Sequence, residues 1–229
     1  MRSEWVPLSA AALVTGVMAL VLGQMLNPGG SESSPAGQML VAAEFPGRWL
    51  AMSVLFFGGA VCLVLGMPAV LTLFRDKRGR GLGRSGIAVL TMGCVGVGGL
   101  SALMLMFRAL ALETLSSAAP DAREINLVTN SLDDPGLSVI LGIWVYGFIA
   151  GVLLIALGLF RSKQAPNWVP GLLTAFVAMQ VVVPLLGEGV DGRIASAVGL
   201  ILLAGGFTGI ATTATAPSND ATRYSHATV

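Results

Sequence analysis

The chain has 229 residues, of which 55% are hydrophobic and 11% charged, and its formal net charge is +1. With a mean hydropathy of +0.81, against about 25% charged residues in an average soluble domain, it falls in the membrane class, and an ordinary soluble enzyme is excluded. The balanced charge gives no whole-chain attraction for nucleic acid. Two cysteines inside apolar runs, Cys62 and Cys94, and one histidine, His226, write neither a disulfide framework nor a metal site.

Crossing about 30 Å of hydrocarbon takes roughly 20 helical residues at about 1.5 Å each. Six apolar runs fit: 7–26, 49–74, 86–107, 137–160, 169–186 and 194–211. The predicted fold is therefore all-α, a polytopic integral membrane bundle of six transmembrane helices, followed by a polar tail over 212–229. Barrel strands are excluded because the runs do not alternate.

The first run reads as a signal anchor that stays in place, since NPGGSESSPAG behind it offers no small-x-small cleavage site. QMLVAAEF then predicts a segment folded back onto the membrane surface, with Glu44 and Arg48 as a surface pair at i and i+4. Pro68 removes one backbone bond near Val64 and predicts a kink in the second run.

The next connection, RDKRGRGLGR, carries Arg75, Lys77, Arg78, Arg80 and Arg84. Its GLGRSG portion matches the dinucleotide spacing G-x-G-x-x-G, but that motif works only between a strand and a helix, with an acidic ribose ligand about 20 residues on. Here an apolar run precedes it and another follows. GLGRSG is predicted to be a flexible cytoplasmic turn, with no nucleotide and no cofactor. The five basic residues are candidate contacts for anionic lipid headgroups.

Arg161 and Lys163 sit in the connection after the fourth run, whereas Glu32, Asp121, Asp133, Asp134, Glu188 and Asp191 fall in the alternate loops. Basic residues mark the inside, so both termini are predicted cytoplasmic. Trp5, Trp49 and Trp168 stand at span ends as interfacial anchors. Arg108 and Glu113 are expected to pair at the outer interface. DAREINLVTNSL has capping-box spacing and one apolar face, which predicts a short surface helix. Asp134 and Pro135 read as N-cap and first residue of the fourth span.

No ionisable residue lies near a span centre. The deepest polar side chain is Gln180, expected to hydrogen-bond a neighbouring helix and, in the alternative, to serve as an intramembrane polar site. Small residues at every fourth position mark packing faces: Ala12, Gly16, Ala19 and Gly23; Cys94, Gly98 and Ala102; Gly147 and Gly151; Gly205 and Gly209. A Cys62–Cys94 pairing across two helices is the minority reading. LTLFRDK and LGLFRSK share a pattern that suits either a duplicated hairpin or the common ending of any span that finishes inside.

The inner loops after LFR, in LFRDKRGRGLGRSG and LFRSKQAPNWVPGLL, resemble those of small six-span bacterial, especially actinobacterial, membrane proteins of unknown function. The resemblance implies the cytoplasmic membrane of a bacterium and supplies no catalytic residues. Three roles follow as expectations. The first is an accessory or structural component with a dry interior and a membrane-protein partner. The second is a small transporter or permease-like protein with a cavity reaching Gln180. The third is an intramembrane lipid-modifying enzyme. The lipid bilayer is the expected partner in each, and nucleic acid is not.

Overall fold

The computed structural model describes residues 5–28, 35–74, 78–116, 135–185 and 192–216. These form helices α1 (Trp5–Leu26), α2 (Pro35–Glu44), α3 (Pro46–Thr72), α4 (Arg80–Ser116), α5 (Pro135–Ser162), α6 (Trp168–Leu185) and α7 (Gly192–Thr215). The described chain is all-α. Five helices, α1, α3, α4, α5 and α7, are long and apolar enough to cross a membrane, and α6 carries a shorter apolar stretch, Trp168–Val182. The surface helix expected at 121–132, the Asp134 cap, Glu188, Asp191 and the tail beyond 216 lie outside the described residues.

Sequential long helices pack antiparallel, and α7 also packs on α1, so that α1, α3, α4, α5, α6 and α7 close into a ring. One end of the ring carries α2, which packs on α4 and α3. The other end carries the short α3–α4 and α5–α6 turns.

Glycines set the closest contacts in the ring. A Cβ on Gly16 would lie 2.7 Å from the Leu63 backbone nitrogen, and one on Gly66 2.7 Å from the Leu13 Cα, so α1 and α3 touch backbone to backbone. On α5, Gly147 meets Gly93 and Gly151 meets Leu90; on α7, Gly205 and Gly209 meet Leu172, Val169 and Trp168. The expected faces of α1, α5 and α7 are therefore the packed ones. The expected face of α4 is only partly so: Cys94 is buried, but Ala102 is exposed and a Cβ on Gly98 would reach only the Phe57 ring, at 3.8 Å. The face that α4 turns to α5 is Gly86, Gly93 and Gly96. Both cysteines are free.

GLGRSG is not a turn. It forms the first two turns of α4, which begins at Arg80 and not at residue 86. Gly79, with φ +78°, makes the reversal, and the motif's glycines allow close approach: Gly83 to the Phe74 ring, Gly86 to the α5 backbone at Gly151 and Ile155. At 37 residues α4 is about 55 Å long, well beyond the expected span. Residues 212–215 likewise continue α7 instead of starting the tail. The Thr213 and Thr215 hydroxyls donate to the Gly209 and Ala211 carbonyls, 2.7 and 3.0 Å away, which ties these polar side chains to their own helix.

Pro68 leaves α3 helical, and a second helix bonds the backbone beside it. Ser9 Oγ of α1 donates to the Leu65 carbonyl at 3.0 Å and accepts from the Ala69 N–H at 3.0 Å. Those two groups would bond each other in an unbroken helix. At the opposite end Trp49 is buried, not an interfacial anchor, and its Nε1–H donates to the Met104 carbonyl at 2.8 Å. Trp5 and Trp168 are exposed as an interfacial ring would be. Arg48 lies over the Phe45 ring at 6.0 Å in place of a pair with Glu44, because α2 ends and α3 begins at this bend. Arg108 Nε donates to the Pro46 carbonyl at 2.9 Å, tying α4 to the start of α3.

Candidate functional site

Toward the short turns the ring is filled by apolar side chains: Leu13, Leu63, Leu90, Ile155, Leu173, Leu203 and Phe207 are all fully buried. Toward α2 it opens into a chamber of about 300 Å³ to which all six helices of the ring contribute. The floor is aromatic. Phe148 of α5 and Phe176 of α6 meet edge to face, with centroids 6.2 Å apart and planes at 74°, and Phe56 and Trp144 line the walls. Along α4 and α5 the close contact also relaxes in this half. Their glycine contact ends at Gly96, where a Cβ would lie 2.7 Å from the Trp144 backbone, and one turn on, at Gly99, the nearest atom is the Ile140 Cγ2 at 3.5 Å.

The polar groups of the lining are Gln24 and Asn27 at the end of α1, Gln180 on α6 and Ser196 on α7. Among the described residues no ionisable side chain lines the chamber. Gln180 is half-buried, with its Nε2 packed beside Gly199 of α7, where a Cβ would come within 3.1 Å. The expected bond from Gln180 to a neighbouring helix is not made: its amide bonds no described residue. Glycine at position 199 lets the amide nitrogen lie against α7 with no side chain there to bond it, at the edge of the cavity that Gln180 lines. Amide and hydroxyl groups on an aromatic floor suit an uncharged molecule with one hydrogen-bonding end and one apolar end.

The sequence-predicted basic residues are only partly brought together. Arg75 and Lys77 lie outside the described residues. Arg80 and Arg84 are exposed on the first turns of α4, and Arg78 is exposed in the α3–α4 turn. Arg78 shares a cleft with Arg161 of α5, which sequence reasoning used only for orientation. The matched LFR endings were the available signal, since they place Arg161 at the same inner level as the Arg75–Arg84 loop. Of the chamber residues only Gln180 was singled out. Gln24, Trp144, Phe148 and Phe176 carried no mark that separates a cavity-facing side chain from a lipid-facing one.

No family model, curated protein or solved structure matches the chain. The reading of its role rests on geometry and chemistry alone.

Proposed function

We propose that the chain crosses a bacterial cytoplasmic membrane six times, with both termini cytoplasmic, and that it is a permease-like component binding a small, uncharged, amphipathic molecule in its chamber. The observation that carries this reading is the Gln180 amide, set within a transmembrane-type helix, facing a cavity and bonded to no described residue. Gln180 is half-buried, and among the described residues no buried side-chain nitrogen or oxygen lacks a partner, so its amide stays accessible and is free to bond water or a ligand in the chamber. A ring of six helices around one chamber also suits passage or capture better than the dry interior an accessory component calls for. Six crossings are supported by α6, whose 18 residues extend about 27 Å between α5 and α7. The basic Arg78, Arg80, Arg84, Arg161 and Lys163 at the short-turn end support the orientation. An enzyme is less well supported, because among the described residues Ser196 is the lone hydroxyl of the lining and no base accompanies it.

The test is chemical access. A Gln180→Cys protein lacking the two native cysteines, in intact cells, is expected to react with a small membrane-impermeant thiol reagent added outside. Mass spectrometry of wild-type protein purified in mild detergent is expected to find a neutral molecule that Gln180→Leu loses while keeping its helix content. A Gln180→Cys thiol that reacts from neither side would sink the reading.

A further inference from the structure

The short-turn end holds a second cleft, unrelated to the chamber. A Cβ on Gly79 would lie 2.5 Å from the Gly158 carbonyl oxygen and 3.4 Å from the Arg161 Cβ, so glycine alone lets the α3–α4 turn sit directly on the last turns of α5. Gly158 answers from the other side, where a Cβ would lie 2.9 Å from the Gly83 nitrogen. This seat places Arg78 and Arg161, from different turns, on one cleft of about 570 Å³ completed by Gly79, Gly81 and Leu82. Both arginines are exposed, and neither bonds another described residue. The described carboxylates, Glu44 and Glu113, belong to α2 and the far end of α4.

Two guanidiniums sharing a cleft with no described carboxylate repel each other, and an anion between them relieves that repulsion. The planar fork of each guanidinium matches two oxygens of a phosphate group, and on the six-crossing reading proposed above the cleft, where apolar helices end, stands at the depth of lipid headgroups. We propose that Arg78 and Arg161 bind a phosphate group here, carried by an anionic lipid or by a free phosphate compound. The proposal is independent of the chamber and of its ligand.

Full-length wild type, Arg78→Gln/Arg161→Gln and a control, Arg84→Gln, are placed in nanodiscs of phosphatidylcholine with or without phosphatidylglycerol, and retained lipids are counted by native mass spectrometry. At about 1 kcal/mol per basic residue near the surface, the double variant is expected to bind phosphatidylglycerol roughly thirtyfold more weakly than wild type, while Arg84→Gln, which does not line the cleft, loses less than Arg161→Gln. The single Arg161→Gln variant, altered at an exposed helix end, is expected to lose roughly fivefold and gives a reading even where the double variant does not fold. In phosphatidylcholine alone, a rise in melting temperature with inorganic phosphate, seen for wild type and absent in Arg161→Gln, assigns the site to a free phosphate compound. Unchanged binding of both probes in Arg161→Gln, or an equal loss in Arg84→Gln, overturns the proposal.

Discussion

In the half of the ring near the short turns, α4 and α5 approach until glycine meets backbone, with Gly86 on Gly151 and Ile155, and Gly93 on Gly147 and Phe148. In the half near α2 the same two helices also carry glycines, Gly98, Gly99 and Gly142, but Cβ atoms there would meet nothing closer than 3.5 Å. The first set lets two helix axes come together. The second does not: Gly99 borders a separate pocket with Ile140, and the chamber in this half is walled on α4 by Val97, Leu100 and Met104. The difference lies in what each glycine faces, because the residue type is the same. Without a hydrophobic driving force between helices in lipid, packing of this kind sets association, so a bundle can be tight in one half and hollow in the other.

The largest expected effect comes from closing that contrast on one helix. In Gly93→Ala the new methyl would lie 2.5 Å from the Phe148 nitrogen, a backbone atom that cannot rotate away. The axes must separate, and a loss of about 3 kcal/mol is expected in denaturation of the detergent-solubilised protein. Gly98→Ala, five residues along α4, meets only the edge of the Phe57 ring at 3.8 Å. It is expected to be neutral or to gain up to about 1 kcal/mol from helix propensity. Equal losses in the two variants would show that the halves do not differ in packing.

Next in size is the bridge from α1 to the proline of α3, in the tight half. Ser9→Ala removes the hydroxyl that serves both the Leu65 carbonyl and the Ala69 N–H in buried surroundings, and a loss of about 2 kcal/mol is expected. The effect depends on Pro68. In a Pro68→Ala background α3 regains the N–H that bonds the Val64 carbonyl and loses the ring's clash with that turn, which lets the helix tighten until the Ala69 N–H reaches the Leu65 carbonyl, so Ser9→Ala is expected to be at least about 1 kcal/mol milder there. Additive losses in that cycle would separate the serine from the proline.

Much of the fold was legible because hydropathy and small residues report directly on lipid. Core segments of the long helices, and the packed faces Gly16, Gly147, Gly151, Gly205 and Gly209, could be read from the sequence. The start of α4 could not, because Gly81, Gly83 and Gly86 with Arg80 and Arg84 are turn residues by local preference, and only contact with Phe74 and α5 makes that stretch helical. Local preference lost to tertiary packing there. Trp49 failed for a related reason: an aromatic residue at a span end looks the same whether it faces headgroups or, as here, α4 through Met104. Gln180 was visible as a polar residue at depth. Its partner was not, since the absence of a bonding side chain at Gly199 depends on which helix stands beside α6, and spans in sequence order do not say how a ring closes.

A smaller effect tests how the open half holds its shape. Trp49→Phe keeps the apolar packing among Ala42, Met52 and Met104 and deletes the 2.8 Å bond from the indole to the Met104 carbonyl. A loss of about 1 kcal/mol is expected, and with it greater thiol reactivity at a cysteine introduced at position 180, since Met104 also lines the chamber. Unchanged reactivity would mean that the wall is held without this bond.

The smallest stability effect should fall on the residue that matters most to the proposed role. Gln180 bonds no described residue, so Gln180→Leu removes no protein hydrogen bond and replaces an amide by an apolar group of similar size on an aromatic floor. Stability without ligand is expected to stay the same or to rise by up to about 1 kcal/mol, in contrast to Ser9→Ala, where a polar group completes the backbone. A loss near that of Ser9→Ala would mean that the amide is structural, and that the chamber is a gap in packing and not a binding site.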